Sequence, residues 1–139
     1  MTQPYQDLYW NSTDGLRLHA RDHAPGAGQL PRGTVVCIPG LTRNGADFDA
    51  LADVLTGVGW RVIAVDLRGR AGSERAQDPS SYNPRAYADD MVALLRSQNI
   101  DSAVFIGTSL GVLVTITLAS RAPQTIAAAV LNDAGPKVP

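Results

Sequence analysis

The chain has 139 residues, with 12 Lys and Arg against 13 Asp and Glu, a formal net charge of −1, and 45% hydrophobic residues. This length fits one domain, and the apolar fraction is too high for a disordered chain. The balanced charge disfavours nucleic acid as a partner, because binding phosphates needs a basic surplus. The single cysteine, Cys37, excludes an intramolecular disulfide and a cysteine-based zinc site.

The N-terminal sequence MTQPYQDLYW lacks the basic start and apolar run of a secretory signal. No stretch of the sequence approaches the roughly 20 apolar residues that a membrane span requires. We therefore expect a cytoplasmic protein that binds neither membrane nor nucleic acid.

Three features predict an antiparallel pair of strands near the N-terminus. Residues 8–10 form a short apolar run, and Asp14-Gly15 is a typical turn signal after it. Residues 16–21 then alternate apolar and polar side chains, which is the pattern of a strand with one buried face.

Four continuous apolar runs follow, at residues 34–38, 61–66, 102–107 and 126–131. Runs of this kind, bounded by Gly and Pro, suit strands that are buried on both faces of a parallel sheet. The fourth run is the weakest, because its three alanines suit a helix as well as a strand.

Apolar residues at helical spacing lie between these strands. The first helix is predicted from Phe48, Leu51, Ala52 and Leu55. Asn83-Pro84 begins the second, because Asn is a good N-cap and Pro suits the first helical position. Its apolar face consists of Tyr87, Met91, Leu94 and Leu95. Residues 110–120 are apolar almost all round and predict a buried third helix, although their β-branched content also permits a strand.

The predicted element order is therefore β-β-β-α-β-α-β-α-β. An antiparallel pair followed by βαβ units gives an α/β fold, a mostly parallel twisted sheet with helices on both faces. In such sheets ligands bind at the carboxyl ends of the strands. The turns from strand to helix are thus the first places to search for chemistry.

Gly107-Thr108-Ser109-Leu110-Gly111 matches the pattern G-x-S-x-G between a predicted strand and a predicted helix. In this turn the chain reverses so sharply that side chains two residues before and after the serine would strike neighbouring elements, which explains the glycines. Two glycines around a serine is a loose pattern by itself. Its position directly after an apolar run makes it specific.

The chain resembles the N-terminal portion of an α/β hydrolase of the serine esterase, lipase and carbon–carbon bond hydrolase group. The resemblance covers essentially all 139 residues. It also includes residues 39–44, similar to the family's oxyanion loop, residues 66–73, similar to its D-x-R-G-x-G-x-S loop, and residues 131–136. Three positions depart from the family pattern, namely Pro39 for a common His, Ala71 for a fixed Gly, and Val112 for a frequent second Gly.

The resemblance implies a role for each matching residue. Ser109 is the implied nucleophile, with Gly107 and Gly111 as the elbow glycines. The backbone N–H groups of Leu110 and Leu41 are the implied oxyanion donors. Such serine chemistry needs no metal, and we expect no cofactor.

The general base is missing from the sequence. In the family the acid and then the histidine follow the serine, but no histidine follows Ser109. His19 lies in the second predicted strand and His23 just after it, and in the resembled fold this strand is remote from the turn. Asp133 is a candidate acid in a variant arrangement.

We therefore expect residues 1–139 to be the N-terminal portion of a hydrolase core domain, without the cap and the C-terminal core. The expected partner is a C-terminal fragment of the same enzyme as a second chain, which supplies the remaining strands, the acid and the histidine. Without that partner we expect the chain to be inactive. Ending after the sixth strand also leaves that sheet edge and the third helix incompletely covered.

The expected reaction is hydrolysis of a small carboxylic ester, lactone or vinylogous diketone. The serine disfavours dehalogenase and epoxide hydrolase chemistry, for which the resembling families use aspartate. Two alternatives stay open, a non-catalytic binding or scaffold module and a cofactor-free haloperoxidase or perhydrolase. Among the other polar residues, we expect Asp66 and Arg68 to brace their loop, Arg43 to be a surface arginine, and Cys37 to be buried.

Overall fold

Six strands and three α-helices make up the described part of the computed structural model, which comprises residues 5–40 and 43–132. The strands are β1 Gln6–Asn11, β2 Arg17–His23, β3 Gly33–Ile38, β4 Trp60–Asp66, β5 Ala103–Thr108 and β6 Ile126–Asn132. The helices are α1 Asp49–Thr56, α2 Pro84–Ser97 and α3 Leu110–Arg121. This order is the predicted one.

The strands form one sheet in the order β1-β2-β4-β3-β5-β6. β2 pairs antiparallel with both β1 and β4, whereas β3, β4, β5 and β6 are mutually parallel. The carboxyl ends of these four strands therefore lie at the same end of the sheet, and the turns that follow the strands lie together there. The predicted α/β class is confirmed.

Alternate residues of the central strands point to opposite faces of the sheet, and each face has its own core. Val36, Ile38 and Phe105 belong to the larger core, which includes apolar residues of α2 and α3. Val35 and Cys37 belong to the smaller core, with Ala52 of α1. The sheet is thus covered by α2 and α3 on one face and by α1 on the other.

Local signals at the start of α2 work as predicted. The side chain of Asn83 accepts a hydrogen bond of 2.8 Å from the amide of Ala86, and Pro84 occupies the first turn. The predicted apolar face is buried throughout, consisting of Tyr87, Met91, Leu94 and Leu95. None of the helices within residues 5–40 and 43–132 is long and apolar enough to cross a membrane.

Two burial expectations are wrong. The alternation predicted for β2 fails because His19 is buried along with Leu18 and Ala20; its imidazole has carboxylate partners that offset the cost of burial.

The burial predicted for β6 also fails, whereas α3 is buried on one face only, at Gly111, Val114, Thr115 and Leu118. Six of the seven residues of β6 are exposed, and α3 exposes Leu113 and Ile116 by 53% and 51%. In the described residues β5 is the only strand paired with β6, so its other edge lacks a neighbour.

Candidate active site

The backbone bends sharply at Ser109, between the last residue of β5 and the first residue of α3. Its φ of 56° and ψ of −114° lie in a region that L-residues rarely adopt. Such a conformation costs about 1–3 kcal/mol and persists only where the surroundings enforce it. Ser109 is exposed, so the bend raises its side chain above the end of the sheet.

The glycines around Ser109 allow the elements to approach one another closely. A Cβ on Gly107 would collide with the carbonyl of Gly111 and would lie 2.8 Å from the Thr115 hydroxyl. A Cβ on Gly111 would collide with the carbonyl of Ile38 at the end of β3. The steric reason inferred from the sequence pattern therefore applies to both positions.

The segment after β3 lies directly against Ser109. An added Cβ on Gly40 would be 3.3 Å from the Cβ of Ser109 and 3.7 Å from its Oγ. This contact follows from the parallel register, which pairs Ile38 with Gly107. The next residue, Leu41, lies outside the described residues, so its predicted role as an oxyanion donor stays a prediction.

The N-terminus of α3 begins immediately after the serine. The first amides of an α-helix have no partner within the helix, and the helix dipole favours negative charge at this end. The amide of Leu110 has no acceptor among residues 5–40 and 43–132. The amide of Ser109 itself donates to the carbonyl of Asn132 at 3.2 Å, which ties the bend to β6.

Asp66, at the end of β4, braces the loops on both sides of it. Its Oδ1 accepts from the amide of Gly45 at 2.8 Å, in the segment that leads from β3 to α1. Its Oδ2 accepts from the amide of Gly72 at 3.2 Å, and Ser73 Oγ donates to its carbonyl at 2.7 Å. Both carboxylate oxygens of Asp66 thus accept hydrogen bonds from the neighbouring loops, and Asp66 braces these loops as expected from the sequence.

The same carboxylate holds His19 in place. The ring Nδ1 of His19 lies 2.6 Å from Asp66 Oδ2, and Nε2 lies 2.7 Å from Asp7 Oδ1. Both ring nitrogens thus have carboxylate partners. β2 is three strand spacings from β5, about 14 Å across the sheet, so His19 lies remote from Ser109, as expected.

His23 is buried on the same strand. Its Nε2 lacks a hydrogen-bond partner among the described residues and lies 3.7 Å from Asp49 Oδ1. Burial lowers the pKa of His23 below its ordinary value. Neither histidine of the chain therefore meets the serine.

Arg68 joins the loop after β4 to α2 and to the turn between β1 and β2. Its guanidinium donates to both carboxylate oxygens of Asp90 at 2.7 and 2.9 Å and to Asp14 at 3.0 and 3.1 Å. The hydrogen bonds from Arg68 and Ser12 lower the pKa of Asp14 to about 2. Burial raises the pKa of Asp90 despite the paired arginine.

Two further expectations are confirmed. Arg43 is exposed and pairs with Asp47 at 2.7 Å within its own loop. Cys37 is fully buried in β3, where desolvation raises the pKa of its thiol to about 12. The candidate acid Asp133 lies outside the described residues, so its role stays a prediction.

One contributor near the serine was not predicted from the sequence. The buried Thr115 donates from Oγ1 to the carbonyl of Gly111 at 2.8 Å and adjoins Gly107. It fixes the first turn of α3 against β5. A hydroxyl four residues after a glycine, on the otherwise apolar face of a helix, is the signal that points to it. Among residues 5–40 and 43–132, no three His, Cys, Asp or Glu side chains are grouped as metal ligands.

Comparison with known proteins identifies the class to which this fold and this turn belong. Residues 33–139 match the family model described as the alpha/beta hydrolase fold. The chain therefore belongs to the α/β-hydrolase fold family, as its motifs indicate.

Several relatives give this membership more detail. The chain is 39% identical over 104 residues to a 3-hydroxybutyrate-oligomer hydrolase of Cupriavidus necator, covering 75% of this chain and 35% of the relative. It is 29% identical over 116 residues to epoxide hydrolase B of Mycobacterium tuberculosis, covering 84% and 32%.

A crystal structure of an α/β hydrolase from Novosphingobium aromaticivorans superimposes with a TM-score of 0.82 at 48% identity. The superposition covers 99% of this chain and 47% of the Novosphingobium chain. The chain thus spans about a third of the length of the curated relatives it matches and about half of the solved structure.

Proposed function

We propose that this chain is the nucleophile-bearing part of a serine hydrolase that cleaves a carboxylic ester or a related acyl or carbon–carbon bond in a small molecule. Ser109 is the proposed nucleophile. The observation that carries the proposal is the strained backbone of Ser109, with φ of 56°, exposed at a junction of strand and helix whose close packing requires Gly107 and Gly111.

The proposed chemistry is acyl transfer in two steps. Ser109 Oγ attacks the substrate carbonyl carbon, and the carbonyl oxygen becomes an oxyanion. The amide of Leu110 and the amide of Leu41 donate to this oxygen. One such donor contributes about 2.7–4 kcal/mol to lowering the barrier in a serine protease. The leaving group then departs, and water hydrolyses the acyl-serine.

The residue type at position 109 favours ester over epoxide substrates. Epoxide hydrolases are among the relatives, and the resembling epoxide hydrolases use an aspartate as nucleophile. This chain has Ser109 there. A serine forms an acyl intermediate with a carbonyl compound, so we place the substrate among carbonyl compounds.

A serine hydroxyl is a weak nucleophile until a base removes its proton. His19 is hydrogen-bonded to two carboxylates and His23 is buried in β2. No histidine follows Ser109. We therefore propose that a second polypeptide, corresponding to the C-terminal part of the enzyme, supplies the histidine and the acid.

The C-terminal side of the sheet supports this proposal. Four apolar side chains of α3 and β6 are each 48–53% exposed, namely Leu113, Ile116, Val130 and Leu131. β6 has strand-forming residues with an unpaired edge in the described residues. A further parallel strand and helices would cover this surface, and the relatives are two to three times as long as the chain.

The test is labelling of the 139-residue chain by a fluorophosphonate, which reacts with an activated serine. The chain is measured alone and together with a polypeptide carrying the part of the Novosphingobium hydrolase that it does not cover. We expect slow labelling alone and fast labelling of Ser109 with the partner. Ser109→Ala abolishes labelling, whereas Ser120→Ala, an exposed serine on α3, leaves it unchanged.

A second candidate function follows from the positions of the two histidines. Because neither is placed to activate Ser109, a non-catalytic binding module with the same fold is the alternative. It predicts no fluorophosphonate labelling under either condition. A single 14.7 kDa species with full esterase activity, found by denaturing mass spectrometry, would contradict the need for a second polypeptide.

A further inference from the structure

A second candidate ligand site lies away from Ser109, where the chain leaves β4. A cavity of about 420 Å³ is lined there by residues 67–70, Arg75, Tyr82 and Tyr87. This volume is within the range of pockets that hold small molecules, about 300–1,000 Å³. β4 and β5 are parallel strands two spacings apart, so the cavity opens at the same edge of the sheet as Ser109, about 10 Å along it.

The wall of the cavity is held by specific contacts. Gly69 has a φ of +79°, and an added Cβ would lie 2.7 Å from the Tyr82 hydroxyl and 2.8 Å from its ring. The amide of Gly69 donates to the carbonyl of Glu74 at 2.8 Å. The Tyr82 hydroxyl accepts from the amide of Ala76 at 2.8 Å. The loop is thus folded back on itself around the tyrosine.

Two of the three arginines that line the cavity take part in none of the ion pairs of the described residues. Arg70 and Arg75 are exposed, and neither forms an ion pair within residues 5–40 and 43–132. Arg68, the third arginine of the lining, is neutralised by Asp90 and Asp14. Two guanidinium groups therefore remain available to an anion.

The acidic residues nearby are occupied by other donors. Arg75 also borders a shallower groove that contains Asp14, Glu74 and Asp78. Asp14 binds Arg68, Glu74 accepts from the amide of Arg17 at 2.6 Å, and Asp78 accepts from Ser80. None of these carboxylates forms an ion pair with Arg70 or Arg75 among the described residues, so both guanidinium groups are free to bind an added anion.

Tyrosine hydroxyls complete the donor set. Tyr87 is only 5% exposed, and no acceptor for its hydroxyl is found in the described residues. Burial raises the pKa of Tyr87, so its phenol is protonated at neutral pH and can donate. The Tyr82 hydroxyl accepts from a backbone amide and keeps its own proton for a ligand.

We propose that this cavity binds the oxyanion group of a small molecule, a carboxylate or a phosphate, between Arg70 and Arg75 with Tyr87 as a third donor. Guanidinium groups bind both anions in a bidentate manner, and the fork shape gives them an advantage over lysine. This site uses none of the residues of the proposed nucleophilic turn. Its binding test is therefore independent of whether Ser109 acts as a nucleophile.

The experiment is a calorimetric titration of the 139-residue chain at fixed ionic strength. The ligands are inorganic phosphate, succinate and the neutral analogue succinamide. We expect saturable binding of at least one anion and none of succinamide. Tighter binding of succinate identifies a carboxylate site, and tighter binding of phosphate identifies a phosphate site.

Four variants test where the anion binds. Arg70→Gln and Arg75→Gln should each weaken binding about tenfold or more, since each removes charge-assisted hydrogen bonds to the anion. Tyr87→Phe should weaken it less. Arg96→Gln, which removes the same charge from the far end of α2, should leave it unchanged.

Thermal unfolding of each variant shows that the fold is intact, and Arg70→Lys provides a version that keeps the charge but loses the fork. Absence of saturable binding to the parent chain would overturn the proposal. Equal weakening by Arg96→Gln and by Arg70→Gln would also overturn it, because binding would then reflect net charge alone.

Discussion

The two sides of the sheet differ in how their exposed surfaces are made. The N-terminal edge, formed by β1 next to β2, exposes Gln6, Asp7 and Asn11 together with Tyr9, and the loops on this side are tied by paired charges. The C-terminal edge, formed by β5, α3 and β6, presents alanine, valine and leucine. Edge strands that stay free in solution carry polar residues. The N-terminal edge thus has the composition of a free edge strand, and we propose that the C-terminal edge is an interface.

The largest expected effect lies at the N-terminal edge, where Arg68 and Asp90 are 2% and 3% exposed. Arg68→Met leaves Asp90 buried without a counter-charge and should lower the free energy of unfolding by about 3–5 kcal/mol. Urea denaturation measures this. The double variant Arg68→Met with Asp90→Leu should recover most of the loss, which a purely steric effect of the methionine would not allow.

An exposed ion pair between α2 and α3 provides the matched comparison. Arg121 and Asp89 form an exposed ion pair, with side chains 41% and 42% exposed. Arg121→Met should therefore cost less than about 1 kcal/mol. A cost equal to that of Arg68→Met would mean that burial does not distinguish the two pairs.

Next in size is the packing under the serine, at the C-terminal edge. Gly111→Ala forces a Cβ against the carbonyl of Ile38 and should lower the free energy of unfolding by about 1–3 kcal/mol. Gly57→Ala at the end of α1, with φ of −63°, is the control and should be nearly neutral. If both substitutions were neutral, α3 would not depend on close approach to β3.

The two edges should also differ in association. Val130→Lys puts a charge on the apolar strand β6, where Val130 is 53% exposed. It should leave the free energy of unfolding unchanged but weaken binding of the complementing polypeptide by about tenfold or more. Tyr9→Lys on β1, at 45% exposure, should leave this binding unchanged, although it removes the ring over which Arg17 lies at 3.9 Å. Analytical ultracentrifugation of the mixtures gives the comparison, and equal effects would remove the distinction between the edges.

A smaller effect is expected from pH. The folded-state pKa of His23 is lowered by burial, so below its ordinary pKa of about 6.5 the unfolded chain binds a proton that the folded chain refuses. The free energy of unfolding should therefore fall as the pH is lowered from about 6.5, by at most about 1.4 kcal/mol per pH unit.

The substitution His23→Phe isolates this contribution. Asp49, Asp22, Asp53 and Arg21 surround the ring and are unchanged by it. The difference between the two free energies of unfolding should change as the pH falls from about 6.5 and stay constant above about pH 8. A difference independent of pH would show that His23 does not titrate.

The smallest expected effect concerns Ala71, which occupies a left-handed backbone conformation with φ of 41°. Ala71→Gly should stabilise the chain by about 0.5 kcal/mol, because glycine adopts this region without steric cost. Ala76→Gly, in the same loop and outside the left-handed region, should destabilise it slightly. Destabilisation by both substitutions would mean that Ala71 is not strained.

Several features of this fold follow from residues that are close together in the sequence. The caps of α2 at Asn83 and Pro84, the buried face of that helix and the G-x-S-x-G turn all depend on neighbours within a few residues, so pattern alone predicts them. Ser109 at the turn belongs to this group. Its role as a nucleophile stays a proposal.

What the sequence could not provide depends on distant partners. The burial of His19 follows from Asp66 and Asp7, which lie 47 and 12 residues away. The bond from Gly45 to Asp66 likewise joins segments that no local pattern connects. Burial of β6 was predicted from its composition and is wrong for the described residues, because composition does not reveal whether a neighbouring strand is present.

The buried thiol of Cys37 can serve as a probe of how often the central sheet opens. It is the single cysteine of the sequence, and it is wholly enclosed in β3 with a pKa raised to about 12. A thiol reagent meets it only when the central strands separate. The rate at which a maleimide modifies Cys37 therefore reports how often the central strands separate. The rate can be compared with and without a ligand or the complementing polypeptide.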